Sequence, residues 1–222
     1  MTLAPDAVRT MFDRIAPVYD VMNHVMTAGL DVRWRRLAAE SAVRHGDRVL
    51  DAACGTGDLA IADLKAGAGR VTGLDFSERM LERARRKAPL HWVQGDMLAL
   101  PFADATFDAA TVGFGVRNVD DLELGLRELR RVLRSGGRVA ILEITQPRGA
   151  VRPFYSLWFD RVVPLLGKAL PGGAAYTYLP ASVKRFPTAE RLADLLREAG
   201  FADVRFRLLG GSIVALHTGR AS

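Results

Sequence analysis

A chain of 222 residues that is 49% hydrophobic and 25% charged has the composition of one ordinary globular domain. Its single cysteine, Cys54, excludes an internal disulfide framework and suits a reducing cytoplasm, and four scattered histidines offer no metal-ligand spacing, so no metal is expected. No apolar run approaches the roughly 20 residues of a membrane span, and Asp6, Arg9, Asp13 and Arg14 interrupt the start where a signal peptide would be apolar.

The formal net charge of +6 either draws the protein to anionic lipid or belongs to a solvated, arginine-rich surface. No zinc-finger spacing, RNA-binding aromatic signature or basic heptad region accompanies it, so nucleic acid is not expected as a partner. Residues 1–45 are expected to be helical. Val8, Met11, Phe12, Ile15 and Val18 recur at helical spacing and mark the packed face of a first helix. The stretch from Tyr19 to Arg35 then mixes polar side chains and methionines with apolar residues. It reads either as a lid over an apolar substrate, with Tyr19, Asn23 and His24 as polar contacts, or as a packed helix pair with core methionines.

Residues 47–53 predict a strand, and Gly55-Thr56-Gly57-Asp58-Leu59-Ala60 a tight loop and helix start. Strand, glycine loop and helix form the first unit of a nucleotide-binding α/β domain. Val71 to Asp75 is a second strand, ending in an acid at the spacing of a ribose-binding carboxylate. A dinucleotide fits that pattern. Against it, Asp51 at the strand end and Asp58 at the helix start would repel a pyrophosphate, although salt screens an exposed carboxylate. The same acids suit a ligand carrying an ammonium and a sulfonium, with a ribose for Asp75. S-adenosylmethionine has all three.

Ser77 is placed to cap the next helix, whose Arg83, Arg85, Arg86 and Lys87 read as a solvated face. His91 to Met97 predicts a third strand; Asp96 either accepts from an adenine amine, with Met97 packed on the ring, or caps the following loop. Thr106 to Val112 is a fourth strand running into Gly113-Phe114-Gly115-Val116-Arg117-Asn118-Val119, at the carboxyl edge where a doubly wound sheet keeps its ligands. Arg117 and Asn118 supply donors there, unless Arg117 pairs with Asp120 or Asp121. One of those acids begins a helix ending at Arg134-Ser135-Gly136-Gly137, and Arg138 to Ile144 is the fifth strand. Residues 148–186 interrupt the alternation with aromatics and branched aliphatics around Arg161, Lys168, Lys184 and Arg185. This insertion reads as a lipid-tail-binding helix, a core helix or a homodimer face. A helix from Thr188 to Ala199 precedes strands at 201–208 and 212–218, joined through Gly210-Gly211. The expected fold is a single α/β domain over 1–222. It has a doubly wound, mostly parallel seven-stranded sheet, an antiparallel C-terminal hairpin strand, an N-terminal helical lid (1–45) and a helical insertion (148–186).

Four segments sharpen this reading: Tyr19-Asp20-Val21-Met22-Asn23, Leu50 to Asp58, Gly113 to Val119, and Tyr178-Leu179-Pro180 with Phe186-Pro187. With the order of elements they resemble a class I S-adenosylmethionine-dependent methyltransferase. More narrowly, the chain resembles the ubiquinone/menaquinone biosynthesis C-methyltransferase family from about residue 8 to its end. The resemblance implies methyl transfer to a ring carbon of a polyprenylated hydroquinone. It implies that Thr56, Asp75, Asp96 and Met97 bind the cofactor, to which the glycine loops and their neighbours add Asp51, Gly55, Gly57, Phe76 and Gly113. It turns Arg117 and Asn118 toward the quinol, Arg117 to stabilise a phenolate and Asn118 to hydrogen-bond its oxygen. Arginine stays protonated, so the base is a water, His24 or Tyr19. Glu143 to Pro147 and the Cys54-Gly55-Thr56 turn look more like the menaquinone branch than the ubiquinone branch, whose substrate is a methoxy-benzoquinol. Arg134-Ser135-Gly136-Gly137 departs from the family's usual Lys-Pro-Gly-Gly. A bilayer-resident tail further implies transient, peripheral contact with the inner face of the membrane.

Overall fold

The computed structural model describes residues 5–17, 19–146 and 180–222, with side chains from Thr10 onward. Most of the aromatic insertion read at 148–186 therefore lies outside the described residues. Three helices come first: α1 (Pro5–Ile15), α2 (Tyr19–Met26) and α3 (Leu30–Ala42). The alternation then runs β1 (Arg48–Ala52), α4 (Asp58–Lys65), β2 (Arg70–Asp75), α5 (Glu78–Lys87), β3 (His91–Gln94), β4 (Phe107–Gly113), α6 (Leu122–Val132) and β5 (Leu133–Ile144). It ends with α7 (Ala189–Glu198), β6 (Phe201–Leu209) and β7 (Val214–Ala221).

The strands form one seven-stranded sheet in the order β3-β2-β1-β4-β5-β7-β6. The pairs up to β4–β5 are parallel, and β7 lies antiparallel between β5 and β6. Chain order reverses between β1 and β4, which opens a crevice above their carboxyl ends. Helices cover both faces, so β1 is buried from Val49 to Ala52, and a near-continuous apolar run results. One face packs Leu126, Leu129, Leu192 and Leu196 from α6 and α7 against the sheet. The other packs Trp34, Ala38, Ala42 and Leu59 from α3 and α4.

Caps fall where the side-chain chemistry puts them. Ser77 accepts from the Met80 amide, and Asp121, rather than Asp120, accepts from Leu124. Met11 and Ile15 of α1 are buried against Met80 of α5, with Phe12 beside them. The methionines of α2 belong partly to the core, since Met22 is buried and Met26 packs on Val183.

β7 runs Val214–Ala221 rather than 212–218, and two further strand boundaries differ from expectation by more than one residue. β3 stops at Gln94, because Gly95 and Asp96 turn the chain back into an Asp96–Ala99 bridge. β5 begins at Leu133 instead of Arg138. Phe107 pairs with Leu133 before a register shift to Ala109–Arg138, so Arg134–Gly137 is a bulged strand extension and not a helix-ending turn. Among the described residues, no helix is long and apolar enough to cross a membrane.

Candidate active site

The ends of β1, β2 and β4 deliver two glycine-containing loops to one crevice. After β1 the backbone turns through positive φ at Ala53, Gly55 and Gly57. Gly57 has no room for a side chain, because a Cβ there would sit 2.5 Å from the Trp92 ring of β3. After β4, a Cβ on Gly115 would lie 2.7 Å from that of Ala53. The two loops thus press together and share a pocket. Tyr19, Arg35, Asp51, Gly55, Thr56, Asp75, Phe76, Gly113, Phe114 and Asn118 are among its lining residues. A neighbouring recess shares Asp75, Phe76 and Asn118 with it and adds Asp96 and Met97.

Acids dominate the electrostatics. Asp51 is completely buried, and neither carboxylate oxygen has a hydrogen-bond partner. The Ala60 amide of α4 lowers its pKa somewhat from outside hydrogen-bonding geometry, but burial, then Asp63, push it well above the usual range. Asp63 lies behind it, also fully buried, and accepts the Thr111 hydroxyl at 2.6 Å. Burial pushes its pKa up to about 8. Asp75 accepts from the Gly55 amide at 2.7 Å and the Ser77 amide at 2.9 Å, yet burial outweighs those bonds and raises it to about 6. Burial, followed by Asp75 and Asp51, also keeps the Cys54 thiol protonated. Asn118 presents a buried side-chain oxygen with no partner.

The pocket and its recess gather most of the residues expected from sequence: Tyr19, Asp51, Gly55, Thr56, Asp75, Phe76, Asp96, Met97, Gly113 and Asn118. Gly57 supports the loop from beneath Trp92. Asp96 stands two residues past the strand, where it accepts the Leu98 amide at 2.8 Å while lining the recess. His24 is not brought in. Its side chain is 62% exposed, sits 3.3 Å from Asp31, and lines a separate groove between α2, α3 and α4. Arg117 is not among the residues that line the pocket or its recess. Its guanidinium is buried, donates to Glu143 at 2.8 Å and reaches the Phe114 carbonyl, so its carboxylate partner is Glu143 of β5 and not Asp120 or Asp121. Glu143 is 1% exposed, and a buried carboxylate demands such a cation.

Two features escaped the sequence reading. Lys87, expected on a solvated face, reaches Asp20 at 2.7 Å, Asp58 at 2.6 Å and the Thr56 hydroxyl at 3.0 Å. Thr56 in turn donates to Asp20, so α2 is tied down over the glycine loop. Arg35 is the other. The i, i+4 spacing of Asp31 and Arg35 was visible, but nothing in it says that the pair is buried at a pocket wall.

A crevice at the reversal point of the sheet, walled by an unpaired buried acid and floored by glycine loops, fits a cationic nucleoside rather than a diphosphate. The molecule is an S-adenosylmethionine-dependent methyltransferase. Its fold recurs in a solved Thermotoga maritima structure titled as a SAM-dependent methyltransferase and possible histamine N-methyltransferase, with a TM-score of 0.69 and 22% identity over 97% of this chain and 100% of that one. The family model described as the ubiE/COQ5 methyltransferase family matches residues 1–221, and the chain belongs to that family. It is 45% identical over 218 residues to a demethylmenaquinone methyltransferase of Thermus thermophilus, covering 94% of this chain and 99% of that protein. Against the protein of the same name from Deinococcus radiodurans it is 46% identical over 223 residues, covering 96% and 92%.

Proposed function

We propose that this chain transfers a methyl group from S-adenosylmethionine to a ring carbon of a polyprenylated demethylmenaquinol, completing menaquinone. The observation that carries the reading is the near-full-length likeness to two demethylmenaquinone methyltransferases. The pocket supports it. Asp51 and the Gly55–Gly57 loop would hold the methionine half, Thr56 at its edge, and Asp75 the ribose hydroxyls through its remaining lone pairs. Phe76, Asp96 and Met97 would enclose the adenine, and Gly113, which lines the pocket, would lie beside the reacting centre. When bound, the cofactor supplies an already activated methyl electrophile, so no covalent nucleophile is required of the protein.

The protein's own task is to orient the quinol, exclude water and let a hydroxyl proton leave. Asn118 would accept from the quinol hydroxyl, since its own side-chain oxygen has no protein partner. Phe12, Phe76 and Phe114 supply apolar walls that keep bulk water out. Arg117 acts one step removed: with Glu143 it fixes the Gly113–Val119 loop that carries Asn118. Tyr19 or a water takes the hydroxyl proton, as His24 lies outside the pocket.

The isoprenoid tail needs apolar surface. A groove of about 750 Å³ between α2, α3 and α4 carries Val21, Val25 and Val32, each at least 60% exposed, and shares Arg35 and Asp58 with the pocket. We assign the tail to it. These valines and the net charge of +6 suit peripheral docking on an anionic bilayer. The test of the whole reading is methyl transfer from labelled cofactor to reduced demethylmenaquinol, beside a methoxy-benzoquinol with the same tail. Product from the naphthoquinol alone is expected; product from the benzoquinol alone would overturn the assignment.

A further inference from the structure

Resting on the reading of S-adenosylmethionine as the methyl donor, we propose that its capture is proton-linked. Before binding, Asp51 is a neutral acid; the arriving cation drives its proton into water, while Asp63 behind it keeps its own.

Asp51 and Thr111 are register partners on the parallel strands β1 and β4. Thr111 donates its hydroxyl to Asp63 of α4 at 2.6 Å, and all three side chains are wholly buried. Both oxygens of Asp51 and one of Asp63 are left without a hydrogen-bond partner. A buried carboxylate loses its hydration, and here nothing replaces it, so this cluster does not sustain two negative charges. The groups around Asp51 offer no compensation. Asp75 of β2 is a third acid, and the Cys54 thiol is protonated. Arg35 of α3, whose field reaches Asp51, is committed to Asp31 in a buried pair. On the same pocket wall, Tyr19 brings a phenol and Asp58 a carboxylate already paired with Lys87. Burial and then Asp63 accordingly hold Asp51 well above the usual carboxyl range, and burial holds Asp63 at about 8.

Asp51 lines the pocket, whereas Asp63 is not among its lining residues, so Asp51 is the one that answers a cation placed there. An opposite charge within about 4–6 Å favours the ionised carboxyl. The Asp51 O–H bond breaks, its electron pair stays on the carboxylate, and the proton passes to water. The ligand's cation then faces a new anion. Asp63 remains a neutral acid and spares Asp51 a like charge behind it. A ligand that prefers the deprotonated form binds more tightly as pH rises. The gain is up to about tenfold per pH unit for as long as Asp51 is protonated before binding. It ends near about pH 7.7, where the ligand's own α-amine begins to lose its charge.

The test is calorimetric titration near pH 6.5 in two buffers of different ionisation enthalpy, which counts the protons released per ligand bound. The ligands are S-adenosylmethionine and methylthioadenosine, which has the nucleoside but neither positive charge and so controls for Asp75. The wild type is expected to release about one proton more with S-adenosylmethionine than with methylthioadenosine. In Asp51→Asn that excess should vanish. Should this variant bind too weakly to titrate, the wild type alone decides: its preference for S-adenosylmethionine over methylthioadenosine should grow by about tenfold between pH 6 and 7. A wild type with no excess proton and a flat preference overturns the inference. So does a release that survives in Asp51→Asn and disappears in Asp63→Asn, which would move the proton to Asp63. A wild type that binds neither ligand overturns the methyl-donor reading and this inference with it, whereas tight binding without the excess proton overturns this inference alone.

Discussion

Arg117, turned toward the quinol by the sequence resemblance, is paired in the structure with the buried Glu143. Removing one member of a buried pair leaves the other charge without compensation, at a cost of about 3–5 kcal/mol. Arg117→Met should therefore lower the melting temperature by roughly 10 °C for a chain of this size. Arg117→Met/Glu143→Met, which removes both charges, should recover most of that loss. A single variant that melts like the wild type but has lost turnover would instead put Arg117 on the substrate. Asp63 makes a second prediction at this scale. Its folded pKa, about 8, lies above the unfolded 3.8, so the native state holds a proton that the unfolded chain has lost. Its contribution to stability is thus complete below the unfolded value and is lost as pH rises through the folded one. The protein should melt lower at pH 9 than at pH 6, and Asp63→Asn, which keeps an acceptor for Thr111, should flatten that slope. An unchanged slope would place the pH sensitivity elsewhere. Residue type and spacing made Asp51, Asp75 and Asp96 legible as site candidates, whereas Asp63 and Glu143 were not. The pairing of Arg117 with Glu143 was hidden too, because the two are 26 residues apart and meet only when β4 and β5 align.

Helices and strands were more legible than single contacts, since each rests on periodicity summed over many residues. The cap at Ser77 could be read, and that of α6 narrowed to Asp120 or Asp121, because short acceptors stand directly before apolar repeats. Boundaries set by pairing could not: the bulged start of β5 depends on Phe107 finding Leu133. The tie between α2 and the glycine loop was equally hidden, for Lys87 sits in a run of basic residues that looks uniformly solvated. Only after α5 packs beside α4 does it reach Asp58 and Asp20. These pairs are a quarter to a third exposed, so each adds no more than about 1 kcal/mol. That is little for global stability but enough to bias a two-turn helix. Lys87→Met should leave the melting temperature almost unchanged while speeding amide exchange across Tyr19–Met26 by about fivefold. Equal acceleration in β1 and β2 would mean that Lys87 supports the whole domain rather than α2.

At the scale of the molecule, the alternation of strands and helices was sufficient to place the crevice, because strand order reverses between β1 and β4 whatever the side chains do. Sequence could not show what the added N-terminal helices leave uncovered. In α2, Val21 and Val25 recur one turn apart, and the natural reading buries them. The structure points them, with Val32, into an open groove, while Met22 takes the core side. A valine held in water forgoes about 1.5–3 kcal/mol of burial, so a surface carrying three of them has an incentive to take an apolar guest. If the guest is the quinol's tail, Val21→Asp/Val25→Asp should raise KM for a long-tailed demethylmenaquinol by about 10-fold or more, because charge is added where apolar contact is lost. A substrate with one isoprene unit or none, which does not reach past the pocket, should keep kcat/KM within about 2-fold of the wild type. The two substrates must diverge for the groove to be the tail site. Equal losses on both would trace the defect to the pocket itself, through the Lys87 tie that α2 shares with it. Unchanged turnover of the long-tailed quinol would leave the valines without a role in the reaction.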